Sequence, residues 1–348
     1  MASHYSLFEG KRLIFTIFGA GALGSLVGGK IASKFPVVLI GREEHLSAIK
    51  DRGLTISGKS EMRLYPHALI VNRREEADFK ENWDCLLEKI NFEEYDYHFV
   101  IVCVKSYQTK KITEDIKYIF KQTKPLNNNF VVSLQNGIEN EKLICEKVDH
   151  RQVIGGITTE GVTFLKPGEI YHAGKGETIL GPFTMKSKSL IEATRVLVKV
   201  FNQIGMKASF CDNIYGKIWT KAIINSSINP ITAITGLENG YILKQKDLEI
   251  LAKRACLEGV AVAEANMIDL ACDNPWKEVK KVIQDTANNK SSMLQDILNG
   301  KRTEIDCICG VIIKYGRKEN IEVPTQCMLH TLVKNIELAN QLRKKRCP

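Results

Sequence analysis

The sequence predicts an α/β fold in two domains, the first built on a parallel β-sheet and the second entirely helical. Short apolar runs, each followed by a helical pattern, recur through the first 212 of the 348 residues. This alternation is typical of a parallel sheet covered by helices. Beyond residue 213 strand patterns become rare and helical ones dominate. We therefore expect one domain at residues 1–212 and a second at residues 213–348.

The composition is that of a globular protein, with 44% hydrophobic and 26% charged residues. No apolar run reaches the length of a membrane span, and the N-terminal residues lack the apolar core of a signal peptide. We expect a cytoplasmic protein that binds no membrane. The ten cysteines include no CxxC pair, so the sequence predicts no metal site. The net charge of +9 favours a polyanionic small ligand. Nucleic acid is the weaker alternative, because no nucleic-acid-binding motif occurs, and we expect none to bind.

The first predicted strand, Leu13–Phe18, leads into a glycine-rich loop and then a helix over residues 25–34. The loop consists of Gly19, Ala20, Gly21, Ala22, Leu23 and Gly24. A GxGxxG pattern is weak evidence by itself, but the order strand, loop, helix predicts a dinucleotide site in a Rossmann-type domain. The glycines permit a tight turn and close approach of a pyrophosphate, and the helix N-terminus supplies amides. The alternative is a glycine-rich turn without a ligand.

The second strand, Pro36–Ile40, is followed by Arg42. An NAD enzyme usually places an acidic residue here to bind the ribose hydroxyls, whereas a guanidinium suits a 2′-phosphate. Glu43 and Glu44 come next, and we assign them to the first turn of the following helix, where acidic residues are favoured. The sequence therefore favours NADP(H) over NAD(H).

Two more buried strands, His98–Val104 and Phe130–Leu134, are followed by Lys105 and Asn136. Ligands bind at the carboxyl ends of strands in open α/β sheets, so both side chains are candidates for the dinucleotide crevice. The alternatives are a surface lysine and a simple Asn-Gly turn.

The rest of the first domain is less regular. Residues 72–97 are highly charged, and we predict only a short helix there, at Cys85–Ile90. The β-rich stretch Val153–Gly181 is interpreted as a meander that closes the same sheet. A helix at Ser189–Ile204 and a strand at Met206–Cys211 complete the domain.

The second domain begins with a helix in which Lys221, Asn225 and Asn229 recur at every fourth position. These three side chains share one face of the helix. Its flanks are apolar and are expected to be buried: Ile218, Trp219, Ala222, Ile223 and Ile228. A lysine and two amides in such a helix are costly to bury unless a polar group meets them. We interpret them as facing a ligand, the alternative being a solvated stripe. Pro230 is expected to end or kink the helix.

Further helices are predicted near residues 241–270, 275–285, 302–319 and 325–345. Two polar clusters stand at helix starts. Ser291 and Ser292 precede a short helix, and either serine could cap it. Glu304 lies near the start of the next helix, where an acidic residue could complement the helix dipole. Roles in capping and in ligand binding remain open for both clusters.

Taken together, these motifs resemble the ketopantoate reductase family, from Leu13 to about Leu342. The shared motifs are GAGALG at 19–24, VKSYQ at 104–108, LQNG at 134–137, HAGKGETILGP at 172–182, KIWTKAIINSSINPITAITG at 217–236 and SSMLQDILNGKRTEID at 291–306. The resemblance implies a Rossmann domain joined to an all-helical domain, with the active site in the cleft between them. It also implies NADPH-dependent reduction of 2-dehydropantoate to (R)-pantoate, a step of pantothenate and coenzyme A biosynthesis.

The resemblance implies residue roles as well. Lys221 is the proton donor and works with Glu304. The substrate side comprises Asn136, Lys221, Asn225, Asn229, Asn239, Ser291 and Ser292. The cofactor side comprises Gly19, Ala20, Gly21, Ala22, Leu23, Gly24, Arg42, Lys105, Asn136 and Glu304. The partner is a small 2-oxo acid, and a homodimer is compatible with the sequence. Two alternatives stay open: a reductase of another branched 2-oxo acid, and a non-catalytic NADP(H)-sensing protein, which the presence of Lys221 and its amides disfavours.

Overall fold

The computed structural model describes residues 8–66, 76–123, 128–184 and 186–346. The chain divides into two compact units. The first holds the residues up to Gln135 together with Asn140–Ile214, and the second holds Asn136–Glu139 together with the chain from Tyr215 onward. Within the described residues, no helix combines the length and apolarity that a bilayer crossing requires.

The strands all belong to the first unit. They are β1 (Leu13–Phe18), β2 (Val37–Ile40), β3 (Leu54–Gly58), β4 (Met62–Leu64), β5 (Tyr97–Val102), β6 (Asn129–Ser133), β7 (Val153–Thr158), β8 (Gly161–Lys166), β9 (Glu169–Gly174), β10 (Glu177–Pro182) and β11 (Lys207–Phe210). Seven of them form one sheet in the order β11-β10-β7-β6-β5-β1-β2. Neighbouring strands in it are parallel except β7 and β10. The predicted parallel sheet is confirmed, with one antiparallel pairing.

Helices of the first unit connect these strands. They are α1 (Ala22–Ala32), α2 (Glu43–Arg52), α3 (Glu76–Leu87), α4 (Thr109–Gln122), α5 (Asn140–Cys145) and α6 (Lys188–Gln203). Every residue of β1 and β5 is buried, as expected for central strands covered on both faces. The core of the unit therefore lies along the strands whose carboxyl ends carry the predicted dinucleotide loop.

The stretch Val153–Gly181 differs from the predicted meander. Only β7 and β10 join the large sheet, whereas β8 and β9 form a second sheet in the order β4-β3-β9-β8. In it β3 pairs in parallel with β9, which aligns Ile56 with Ile170, and both side chains are fully buried. Local periodicity identified these strands, but it carries no information about which distant strand each one joins.

The charged segment also differs from its prediction. Helix α3 begins at Glu76 rather than at Cys85. It is anchored by Phe79 and Trp83, one turn apart, whose rings stack at 6.3 Å and are completely buried. Residues 72–75 of this segment lie outside the described residues. The helix therefore has a packing role that its high charge concealed.

The described part of the second unit contains helices and no strands, which confirms the predicted all-helical domain. The helices are α7 (Ile214–Thr235), α8 (Tyr241–Lys244), α9 (Lys246–Ala265), α10 (Pro275–Asp285), α11 (Ser292–Leu298), α12 (Ile305–Lys318) and α13 (Pro324–Arg346). Helix α7 does not end at Pro230 but continues to Thr235. An internal proline costs about 3 kcal/mol, and burial of Ile231 and Ala233 just after it offsets that cost.

Candidate active site

The glycine-rich loop begins with a residue that must be glycine. Gly19 follows β1 with φ of +104°, and a Cβ there would lie 2.6 Å from Cγ1 of Val104. The amides of Gly19 and Ala20 both donate to the carbonyl of Ile40, at 2.9 and 2.8 Å. The loop is thus fixed to the carboxyl end of β2, and side chains other than hydrogen are excluded from its first position.

Gly24 and Gly21 meet different constraints. A Cβ on Gly24 would lie 2.1 Å from the carbonyl oxygen of Gly19, which the fold cannot accept. A Cβ on Gly21 would meet no atom within 4 Å. Gly21 is the N-cap of α1 and makes no side-chain cap, and first-turn amides of a helix lack intrahelical partners. The open space at Gly21 lies beside amides of the kind that bind phosphate groups at helix N-termini.

Arg42 lies at the end of the strand next to β1. It is the N-cap of α2, and its side chain is exposed. Glu43 and Glu44 form the first turn of α2, as predicted. The guanidinium is therefore the only charged group at the strand end itself among residues 40–42, and the two carboxylates belong to the helix.

A histidine that sequence reasoning did not identify ties this region together. The Nδ1 of His45 accepts a hydrogen bond from the amide of Gly168 at 2.9 Å, so its Nε2 carries the proton and donates to Oγ of Ser25 at 2.8 Å. Burial, with a smaller effect of the Arg42 charge, lowers the pKa of His45 to about 4. The neutral ring connects the start of α2 to the first turns of α1. Its signal in sequence, a histidine three residues after Arg42, was too weak to find.

Lys105 follows β5, which lies beside β1 on the side opposite β2. It is half-buried and occupies the N-cap position of a short 3₁₀ helix at Ser106–Gln108, without a capping hydrogen bond from its side chain. Nearby, the buried side-chain amide of Gln135 donates to the carbonyl of Val104 at 3.0 Å and to Oγ1 of Thr109 at 2.7 Å. Arg42, the glycine loop and Lys105 therefore follow three adjacent strand ends at one edge of the sheet.

In the second unit, Lys221, Asn225 and Asn229 lie along α7. Lys221 and Asn225 are half-buried, and Asn229 is 7% exposed. The predicted flanking residues are all buried: Ile218, Trp219, Ala222, Ile223 and Ile228. Burial lowers the pKa of Lys221 to about 8, and the negative charge of Glu304 acts in the opposite direction. The stripe is therefore largely withdrawn from water, and the pKa of its lysine lies below that of a solvated lysine.

Asn136 and Glu304 belong to the same unit. The side-chain amide of Asn136 donates to Oε2 of Glu304 at 3.4 Å, and Glu304 is buried. Gly137 has φ of +90°, and a Cβ on it would lie 2.7 Å from the carbonyl oxygen of Cys307, which also accepts a hydrogen bond from the amide of Ile138. The sequence placed Asn136 at a strand end; the structure adds that its loop packs against the start of α12.

The remaining predicted residues are Asn239, Ser291 and Ser292. Asn239 is 6% exposed, and its Nδ2 donates to Oγ1 of Thr286 at 2.9 Å. Its Oδ1 is buried and has no hydrogen-bond partner among the described residues. Ser291 caps α11 through the amide of Leu294, and its hydroxyl also bonds that of Thr232. The capping role that the sequence left open therefore falls to Ser291, while Ser292 is exposed.

Comparison with known proteins gives consistent matches along the chain. Residues 15–185 match the family model of ketopantoate reductase PanE/ApbA, and residues 213–337 match the C-terminal model of the same family. The curated 2-dehydropantoate 2-reductases of Pyrococcus horikoshii and Pyrococcus abyssi are 36% and 35% identical to this chain. The first alignment covers 91% of this chain and 95% of the relative; the second covers 92% and 97%.

Two solved structures have similar folds. The PanE/ApbA family ketopantoate reductase from Ralstonia eutropha JMP134 has a TM-score of 0.79 at 28% identity, over 94% of this chain and 99% of that one. The ternary structure of D-mandelate dehydrogenase with NADH and anilino(oxo)acetate has a TM-score of 0.80 at 25% identity, with the same coverage.

The two glycines of the loop provide a test of its geometry. We expect Gly24→Ala to lower the free energy of unfolding by about 2–4 kcal/mol, because the new Cβ would overlap backbone. Gly21→Ala should change it by less than about 1 kcal/mol, because the new Cβ meets open space. Urea unfolding of both variants measures the difference. Equal destabilisation of the two would contradict the geometry.

Proposed function

The chain belongs to the ketopantoate reductase family, and from this premise we propose that it reduces 2-dehydropantoate to (R)-pantoate with NADPH, in pantothenate and coenzyme A biosynthesis. The observation that carries the proposal is the half-buried Lys221, which shares one face of α7 with Asn225 and Asn229. The negative charge of the buried Glu304 acts on this lysine and favours its charged form. A carbonyl reduction requires a proton donor in such surroundings. The curated relatives at 36% and 35% identity support the choice of substrate.

The first unit is the cofactor-binding part in this proposal. Bound NADPH supplies the hydride that is added to the ketone carbon. The amides at the start of α1 and the space beside Gly21 would hold the pyrophosphate, and the Arg42 guanidinium would pair with the 2′-phosphate. Lys105, at the neighbouring strand end, adds a second positive charge. His45, three residues after Arg42, ties the start of α2 to Ser25 of α1 and to the backbone amide of Gly168.

Lys221 is the proposed proton donor to the carbonyl oxygen of the substrate. As hydride reaches the carbon, negative charge develops on the carbonyl oxygen, and an ammonium group stabilises that charge and transfers a proton to it. The products are the alcohol and the oxidised cofactor. A pKa of about 8 makes Lys221 a better donor than a solvated lysine while leaving it mostly charged at pH 7. Glu304 favours the charged form.

Neutral groups are proposed to orient the acid. Asn225 and Asn229 offer amide donors and acceptors that do not oppose the substrate carboxylate, and Ser292 offers a hydroxyl donor. The unpartnered Oδ1 of Asn239 is an acceptor, and leaving a buried acceptor unpaired costs about 1–3 kcal/mol. The hydroxyl of 2-dehydropantoate is a donor that could satisfy it. This favours a hydroxylated 2-oxo acid.

A second candidate is the reduction of another 2-oxo acid. The similarity to D-mandelate dehydrogenase, at a TM-score of 0.80, favours it, because that enzyme is a relative in fold that is solved with NADH. Arg42 argues against NADH as the cofactor here. The higher identity of the curated 2-dehydropantoate 2-reductases makes this the weaker candidate.

We further infer that the enzyme is cytoplasmic and acts as a homodimer. Four large apolar side chains lie exposed on α13: Met328, Leu332, Leu338 and Leu342. Their spacing puts them within about a third of the helix circumference. An exposed apolar stripe of this kind favours association with a second copy. Light scattering should give twice the mass of one chain; a single-chain mass at micromolar concentration would contradict the dimer.

The proposed function is tested by following NADPH oxidation with three acids. We expect the highest kcat/KM for 2-dehydropantoate, at least about tenfold above 3,3-dimethyl-2-oxobutanoate, which lacks only the hydroxyl group. Phenylglyoxylate should be poorer still, and NADPH should be preferred to NADH with every acid. Phenylglyoxylate with NADH as the best pair would establish the second candidate instead. Absence of oxidation with all three acids would contradict both.

Replacing the proposed donor tests its role directly. Lys221→Ala should lower kcat by about 100- to 10,000-fold, the usual contribution of a positioned proton donor, while the Kd for NADPH stays within about twofold. In the unaltered enzyme, kcat should fall as pH rises through about 8, because the lysine then loses its proton. Steady-state kinetics between pH 6.5 and 9.5, with NADPH titrations by fluorescence, measure both effects.

Lys217→Ala is the matched control, since that lysine lies on the same helix but donates to the carbonyl of Ala271. It should keep kcat near that of the unaltered enzyme. If Lys221→Ala instead lost NADPH affinity and kept its kcat at saturating cofactor, the assignment of Lys221 as donor would be wrong.

A further inference from the structure

The last helix of the second unit holds the loop that carries Glu304. Glu337 of α13 is 6% exposed, and its Oε1 accepts two hydrogen bonds of 2.6 Å, from the backbone amide and from the hydroxyl of Thr303. A buried carboxylate is tolerated only where donors meet it. Here both donors come from the residue immediately before Glu304, so the position of Glu337 fixes the backbone at that point.

A second attachment lies on the other side of Glu304. Asp306 accepts hydrogen bonds from His330 at 2.9 Å and from Lys334 at 3.0 Å, both on α13, and from Arg302 at 3.1 Å. The hydrogen bond from His330, followed by those from Lys334 and Arg302, holds the pKa of Asp306 well below its usual range. Residue 306 is therefore fixed to the same helix as residue 303.

Three residues of α13 act as one unit in this arrangement. His330, Lys334 and Glu337 are spaced by four and three positions, so they project from a single face of the helix. Lys334 lies 3.0 Å from Asp306 and 3.3 Å from Oε2 of Glu337, and thus joins the two attachments. We call His330, Lys334 and Glu337 the α13 clamp.

Glu304 lies between the two attached residues. Its carboxylate accepts a hydrogen bond from Asn136 at 3.4 Å. The α13 clamp holds the backbone on both sides of Glu304, through Thr303 and Asp306, and so contributes to where this carboxylate lies. A carboxylate that moves away loses Coulombic influence on an ammonium steeply in a buried site.

We propose that Glu337 is a positioning residue of the reaction: through Thr303 it holds the Glu304 carboxylate where its charge acts on Lys221. The inference rests on the proposed function, in which Lys221 is the proton donor. Glu337 touches neither substrate nor cofactor in it. Its contribution is the electrostatic environment of the donor, which a merely structural residue would not alter selectively.

The test compares two carboxylates of the full-length enzyme. Glu337→Gln removes the charge that accepts from Thr303. Glu258→Gln is the matched control, because Glu258 also accepts from two donors, the amides of Thr325 and Gln326 at 2.9 and 2.8 Å, and none of them borders Glu304. Thermal melting is expected to show similar losses of stability in both variants.

Enzyme kinetics should distinguish the Glu337→Gln variant from the Glu258→Gln variant. In Glu337→Gln we expect kcat to fall about 3- to 30-fold and the alkaline limb of its pH profile to move about 0.5–1 unit lower, because Lys221 loses part of the stabilisation of its charged form. The Kd for NADPH should not change. Glu258→Gln should keep both kcat and the pH profile. Glu337→Asp, which restores the charge on a shorter side chain, should lie between the unaltered enzyme and Glu337→Gln.

Unchanged kcat and pH profile in Glu337→Gln would overturn the inference, as would equal shifts in Glu337→Gln and Glu258→Gln. The pKa of Lys221 provides a readout that is independent of activity. It is measured by NMR on protein with isotope-labelled lysines, and the Lys221→Ala variant identifies which signal belongs to Lys221. A lower pKa in Glu337→Asp supports the inference even if Glu337→Gln does not fold, and an unchanged one contradicts it. Failure of the proposed function would differ, since the unaltered enzyme would then not oxidise NADPH with any of the acids.

Discussion

In the second unit, a lysine has to keep its charge where water is scarce. Desolvation disfavours the charged form of Lys221, and a nearby carboxylate favours it without exposing the lysine. Glu304 provides that charge, but it comes from a different part of the chain, so several helices must hold the two groups in range. The fully buried Trp219 and Ile223 fix α7 on one side, and α13 fixes the loop of Glu304 on the other.

The glycine loop shows how one sequence motif can combine unrelated constraints. Gly19 and Gly24 are glycines because their neighbours in the fold leave no room for a Cβ, at 2.6 and 2.1 Å. Gly21 is surrounded by open space, so the fold alone does not require glycine there. In the proposed function, glycine at that position lets a ligand approach the backbone. Only coordinates separate these cases, because the clashes involve Val104 and a carbonyl across the loop.

Sequence reasoning succeeded where structure is local. The strand–loop–helix order at Leu13–Gly24, the burial of the α7 flanks and the first turn of α2 all follow from periodicity and composition of adjacent residues. It failed where the answer depends on distant partners. The second sheet requires β3 to pair with β9, the start of α3 requires Phe79 and Trp83 to find the core, and α7 passes Pro230 because residues beyond it are buried.

The candidate site follows the same division. Lys221, Asn225 and Asn229 were identifiable because they repeat on one helix face. Asn136 was identified, but its hydrogen bond to Glu304 was not, because it joins a loop after β6 to the start of α12. Glu337 and His330 left no signal at all, since a charged residue on a C-terminal helix reads as solvated surface until its partners are known.

In the proposed reaction, cofactor choice and acid choice are set by different units of the chain. Arg42 and the glycine loop belong to the first unit, whereas Asn225, Asn229 and Asn239 belong to the second. A change at the end of β2 can therefore alter the preference for a 2′-phosphate without disturbing the groups that meet the acid. For this reason a relative in fold that is solved with NADH does not weaken the assignment of NADPH here. The two proteins share the fold, and the fold does not determine the charge at residue 42.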